Sequence, residues 1–130
     1  MIQFGYTILY VENVRKAITF YTECFGFEQK FLTPENDYGE LKTGTTTLAF
    51  ASKELAASNL PEGFIESRLE RNPFAMELGF VTDNVEAVFS KAVDSGAVVL
   101  QRPLKKPWGQ TVAYLRDPEG FLIELCTSME

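Results

Sequence analysis

The chain contains no histidine in 130 residues. That absence removes both the commonest transition-metal ligand and the usual neutral-pH general base. The serines therefore have no imidazole to activate them, and none lies in a G-x-S-x-G elbow, so serine hydrolase chemistry has no support. Cysteine is nearly as scarce. Cys24 and Cys126 form no CxxC pair and read as reduced core thiols. No apolar run approaches the ~20 residues of a membrane helix. The start, Met1 to Tyr6, has neither the basic flank nor the apolar stretch of a signal peptide, so the expectation is a cytoplasmic protein with no membrane association. Lysine and arginine number 12 against 18 aspartates and glutamates, for a net charge of −6, which argues against nucleic acid as a partner because phosphate contacts need clustered cations. No glycine spacing matches a dinucleotide or phosphate-binding loop, and no cofactor is expected.

What is present is an ordinary globular composition, 45% hydrophobic and 23% charged, of a length that fits one compact domain. Within it lies a weak internal repeat, Tyr6 to Phe25 against Glu77 to Gly96. Each half opens with a strand that runs into Val11-Glu12-Asn13-Val14 or Thr82-Asp83-Asn84-Val85, where Asn13 or Asp83 can cap a helix. Val14, Ala17, Ile18, Tyr21 and Phe25 recur at helical spacing before Gly26, and Val85, Val88, Phe89, Ala92 and Val93 do so before Gly96. Further strands are expected over 28–32, 40–43 and 46–51, then over 98–102, 110–115 and 121–127. The predicted architecture is α+β, with two tandem βαβββ modules at about 1–52 and 74–130. A connector at about 53–73 is long enough to carry a short helical turn and to serve the function or cover something.

The segment Asp117-Pro118-Glu119-Gly120 carries turn chemistry, with a fixed φ at Pro118 and tolerance of positive φ at Gly120. Period-2 alternation then puts Phe121, Ile123 and Leu125 on one face and Leu122, Glu124 and Cys126 on the other. A carboxylate among apolar neighbours is costly to bury without a partner. Arg68, Arg71, Arg102 or Arg116 could neutralise Glu124 and its counterpart Glu77, or the two carboxylates could attract a ligand cation or act as acid and base.

Tyr10-Val11-Glu12-Asn13-Val14-Arg15-Lys16-Ala17, Phe20-Tyr21, Phe25-Gly26-Phe27, Glu77-Leu78-Gly79-Phe80, Trp108-Gly109-Gln110 and Ile123-Glu124-Leu125, in that order, resemble the vicinal oxygen chelate superfamily. That group includes glyoxalase I, bleomycin-resistance proteins and extradiol dioxygenases. The resemblance implies curved mixed sheets around a ligand cavity, and a homodimer. It places the four ligand positions of the metal-using members at Tyr6, Ala49, Glu77 and Glu124, a set with one methyl group and no histidine. The pattern is closest to the metal-free bleomycin-resistance branch, so no metal is expected. The implied function is a metal-independent small-molecule binding protein that sequesters an aromatic or cationic antibiotic or toxic metabolite; the alternative is a lyase or isomerase using Glu77 or Glu124 as acid or base, with or without a divalent metal. Expected ligand contacts are Tyr6, Tyr38, Ala49, Glu77, Trp108, Tyr114 and Glu124, with Trp108 offering a flat face for stacking or cation–π attraction.

Overall fold

The computed structural model describes residues 1–129. The chain divides into two compact units, Met1–Glu66 and a second that begins at Ser67. The first contains β1 (Thr7–Val11), α1 (Val14–Phe25), β2 (Glu28–Leu32), β3 (Tyr38–Thr43), β4 (Thr46–Ser52) and α2 (Lys53–Asn59). Its four strands run in the order β1-β4-β3-β2, with β1 parallel to β4 and the other pairs antiparallel. The second contains β5 (Leu78–Val81), α3 (Val85–Asp94), β6 (Val98–Lys105), β7 (Thr111–Arg116) and β8 (Leu122–Cys126). Its order, β5-β8-β7-β6, repeats the first, with β5 parallel to β8. The βαβββ plan is therefore present twice.

Strand alternation decides which side of each sheet meets its helix. In the first unit Leu9, Val11, Leu41, Leu48 and Phe50 are buried along with Val14, Ala17, Ile18 and Tyr21 of α1, and the rings of Tyr21 and Phe50 lie 5.2 Å apart. Burying side chains of this size stabilises by about 1.5–3 kcal/mol each. The helix sits so close to β3 that a Cβ at Gly39 would come within 2.5 Å of Ile18 Cδ1, which is why a strand interior tolerates glycine there. In the second unit Val85, Phe89 and Ala92 are buried with Ala113, Leu115, Ile123 and Leu125.

Both long helices begin at an asparagine. Asn13 accepts from Lys16 N, and Asn84 accepts from Ala87 N. The second cap is therefore Asn84 and not the expected Asp83. Asn84 preserves the spacing of the first repeat, and its side chain reaches the third residue onward as a cap must. Gly26 ends α1 in the left-handed region at φ 71°. In the second unit Ser95 caps α3, and Gly96 follows at φ 110°.

Two stretches of the expected connector are structured. The first forms α2, capped by Ser52 accepting from Leu55 N. The second is held by Arg116, whose side chain points off β7. Its Nε donates to Gly120 O at 2.9 Å, Nη2 to Arg68 O at 2.9 Å and Nη1 to Arg71 O at 2.7 Å. Ser67 Oγ donates to Glu119 O at 2.9 Å. Asp117 Oδ1 accepts from both Glu119 N and Phe121 N at 2.9 Å, which closes the turn seen in the sequence. Gly120, at φ 100°, has no room for a Cβ, which would fall 2.9 Å from both Arg116 Nη2 and the Arg68 carbonyl carbon. Among the described residues, no helix is long and apolar enough to cross a membrane.

Candidate functional site

The side of each sheet turned away from its buried core residues carries the polar chemistry. In the second unit, register aligns one row across all four strands: Gly79 of β5 opposite Glu124 of β8, Glu124 opposite Tyr114 of β7, and Tyr114 opposite Gln101 of β6. Directly opposed residues share a face. Alternation brings Glu77, two residues before Gly79, to the same face, and Cys126 follows Glu124 there.

Glu77 and Glu124 lie in hydrogen-bonding contact. The Glu77 carboxyl is pushed up from its ordinary 4.5 to about 7, chiefly by its hydrogen bond to Glu124, then by burial, then by the charge of Glu124. The protonated form of Glu77 is therefore favoured well above the usual carboxylate range. Tyr114 and Cys126 feel the same centre. Burial first, and the negative charge of Glu124 second, raise both the phenol and the thiol above their usual ranges, so both remain protonated donors facing Glu124. No arginine contributes to the shift at Glu77. Arg116 is committed to backbone carbonyls, and the Arg102 guanidinium lies 6.0 Å over the Phe89 ring. Arg116 is thus committed elsewhere, and the shift at Glu77 comes from Glu124 and burial.

Trp108, on the turn between β6 and β7, is 63% exposed. Its Nε1 donates to Gln110 Oε1 at 2.8 Å, and Gln110 Nε2 donates to Thr127 O at 2.8 Å, which ties the indole to the end of β8.

The first unit carries a different arrangement. Ala49 of β4 stands between Ile8 of β1 and Glu40 of β3 in register, and it is 0% exposed, so it presents no surface to a ligand. Tyr6, just ahead of β1, is 52% exposed. Tyr38 Oη donates to Glu40 Oε2 at 2.7 Å, while Lys30 Nζ lies 3.6 Å from Glu40 Oε1 and donates to Thr47 Oγ1 at 3.3 Å. Burial, then the hydrogen bond and charge of Glu40, then Tyr6, push the Tyr38 phenol far above its usual range. A cleft of about 540 Å³ in this unit, lined by Glu12, Glu35, Asp37, Lys53 and Glu54 among others, contains none of the expected ligand residues.

Sequence reasoning missed Glu40, Lys30 and Gln101. The Glu40–Lys30 pair was accessible as opposite charges on adjacent strands once register was known. Gln101 was not, because register shifts on both sides of it in β6 hide which face it occupies.

The family model of the glyoxalase-like domain matches residues 4–130. This chain belongs to that family. Relatives include the uncharacterized protein YraH of Bacillus subtilis (strain 168), 26% identical over 90% of this chain and 91% of the relative. A putative lactoylglutathione lyase of Brassica oleracea var. gemmifera is 29% identical over 95% of this chain. The match spans 43% of that longer protein. Among solved structures, a glyoxalase/bleomycin resistance protein/dioxygenase family enzyme from Burkholderia phytofirmans PsJN superposes with a TM-score of 0.79 over 95% of this chain and 96% of its own, at 21% identity. That likeness establishes the fold, and with the family match it agrees with the vicinal oxygen chelate superfamily.

Metal-using members of this glyoxalase-like group raise the question of a divalent ion. The donor set here does not fit one. Of the four positions that the resemblance gives, Ala49 contributes a methyl group, Tyr6 a phenol, and Glu77 and Glu124 two carboxyls, whereas a catalytic site commonly draws three protein ligands. Among the described residues, no group of three or more histidine, cysteine, aspartate or glutamate side chains could hold an ion.

Proposed function

We propose that this glyoxalase-like chain is a metal-independent small-molecule binding protein, and that the Glu77–Glu124 face of its second unit receives a cationic group on a flat ligand. What supports this reading is the row in which Glu124 stands between Gly79 and Tyr114, with the carboxyl of Glu77 raised chiefly by its hydrogen bond to Glu124. Two carboxyls that hold one proton present about one negative charge, flanked by the Tyr114 phenol, and that is an acceptor for a single cation. An incoming cation takes the place of the shared proton, so binding releases a proton near neutrality. The exposed face of Trp108, in the same unit, is proposed as an aromatic contact of the ligand. We extend the proposal to a homodimer, since β1 and β5 are edge strands of their sheets and unpaired edges favour pairing with another chain. Sedimentation showing only monomer on the order of tens of micromolar would remove that part.

The test uses benzamidine, a planar aromatic cation, and benzamide, its neutral counterpart, titrated into ¹⁵N-labelled protein while the Trp108 indole and Gly79 amide resonances are followed. Saturable shifts with benzamidine, weakened by Glu124→Gln by about 1–3 kcal/mol if the charge is desolvated, with benzamide unaffected, are the expected result. Equal responses to both compounds, or no saturable response to benzamidine, would overturn the proposal.

A second reading draws on the same pair. A carboxyl poised at about 7 beside an acceptor carboxylate is suited to proton transfer, with Glu77 as acid and Glu124 as base in a lyase or isomerase. Turnover of a carbonyl substrate, lost in both Glu77→Gln and Glu124→Gln, would favour it over binding alone.

A further inference from the structure

The row that crosses the second sheet ends at a group with nothing to bind. Gln101 Nε2 is buried and has no hydrogen-bond partner among the described residues. A buried amide donor left unpaired is destabilising, and such groups are uncommon in folded chains. The equivalent row of the first unit, Ile8–Ala49–Glu40–Phe31, follows from the same pairing. There the position matching Gln101 is Phe31, which needs no partner and lies 5.9 Å from the Tyr38 ring. The repeat therefore does not require an amide at this place.

Gln101 and Glu124 stand on either side of Tyr114, two strand spacings apart, or about 10 Å between backbones. Gly79, at the other end of the row, leaves open space, since a Cβ there would meet nothing within 4 Å. The face thus carries an acceptor pair, an aromatic floor and an unsatisfied donor along one line. We propose that Gln101 is a specificity-determining residue of this face: its amide donates to a carbonyl-type oxygen of the ligand, while the Glu77–Glu124 pair takes the cationic end, so the ligand is a flat molecule bearing both. This rests on the binding function proposed above and adds the second polar group that the ligand carries.

Matched probes separate the two claims. Benzamidine supplies the cation alone, and 4-amidinobenzamide supplies the same cation with a carboxamide at the far side of the ring. Wild-type protein should bind 4-amidinobenzamide about five- to tenfold more tightly than benzamidine, the increment of one well-formed hydrogen bond. Gln101→Leu, close in shape and without the amide, should remove that increment and leave benzamidine affinity unchanged. The variant should also melt no lower than wild type, because an orphaned donor has gone. Gln101→Leu that retains the full increment, or wild type that shows none while still binding benzamidine, would overturn the role of Gln101 alone. Failure of benzamidine to bind wild type would overturn the underlying binding proposal and this inference with it.

Discussion

Replacing Glu124 by glutamine should release Glu77 from its raised titration, and the consequence for stability can be worked out in sign and size. In the folded chain Glu77 is pushed from 4.5 to about 7 by its hydrogen bond to Glu124, by burial and by the charge of Glu124. Below pH 4.5 both folded and unfolded chains hold the proton, and the pair contributes no difference. Between 4.5 and 7 the folded chain retains a proton that the unfolded chain has released. Stability therefore falls as pH rises through that window, and the penalty is complete above 7. Each pKa unit corresponds to 1.36 kcal/mol for a fully shielded group, but Glu77 as a whole is exposed and only its carboxyl is partly desolvated against Glu124, so solvent screening reduces the whole effect to about 1 kcal/mol. Glutamine at 124 keeps an acceptor for the protonated carboxyl and removes the charge, so Glu77 should titrate lower and most of the penalty should vanish. Relative to wild type, Glu124→Gln should gain about 2–5 °C in Tm at pH 8 and close to nothing at pH 5. Tyr114 and Cys126, both raised above their ordinary 10.0 and 9.0, titrate above this range and do not confuse the comparison. Carbon-detected NMR of glutamate carboxyls gives the titration directly, and circular dichroism melts from pH 5 to 8 give the stability. A wild-type Glu77 midpoint near 4.5, or a Tm difference that does not grow with pH, would refute the reasoning.

Two further outcomes follow from the framework. Arg116→Met leaves the carbonyls of Arg68, Arg71 and Gly120 without their shared donor and should cost about 3–5 kcal/mol in urea unfolding. Arg116→Lys should recover little of this, because an ammonium cannot reproduce the planar fork, and amide exchange over residues 68–71 should quicken in both variants. At the start of α3, Asn84→Ala should destabilise by about 1 kcal/mol while Asp83→Ala is close to neutral, since the cap oxygen is that of Asn84; a larger effect at Asp83 would contradict the assignment.

Much of the architecture was legible because it depends on local chemistry. The helical spacing from Val14 to Phe25 and the glycine after it fix α1 without help from the rest of the chain, and the resulting helix ends where Gly26 turns left-handed. The Asp117–Gly120 turn was equally readable, since its bonds run within five residues. Strand ends were less so. β6 extends to Lys105 through Pro103, a residue that argues against a strand until the register shifts beside it are known. The site divides along the same line. Glu124 stood out as a carboxylate on an apolar strand, but its pairing with Glu77 depends on parallel association of β5 and β8, which are separated by more than forty residues. The grip of Arg116 on residues 68–71 has the same non-local origin, and sequence offered the arginine to the wrong partner.

The repeat also shows how one plan yields two electrostatic outcomes. In register, Ala49 corresponds to Glu124 and Glu40 to Tyr114, so the carboxylate and its neighbour exchange strands between the units. Glu40 receives the Lys30 ammonium at 3.6 Å and the Tyr38 hydroxyl at 2.7 Å. Its charge is met by a tethered cation, and an external one would have to compete with a group held at high effective concentration. Glu124 receives a proton carried by Glu77. A proton at a site poised near 7 leaves readily at physiological pH, so an external cation displaces it at little cost. Under the proposed binding function the unit that lacks a lysine at this place is the one that takes the ligand, and its occupancy should rise with pH through 7 as the competing proton is lost. Affinity for benzamidine measured at pH 6 and pH 8 decides the matter: an increase that disappears in Glu77→Gln supports proton displacement, and an affinity independent of pH rejects it.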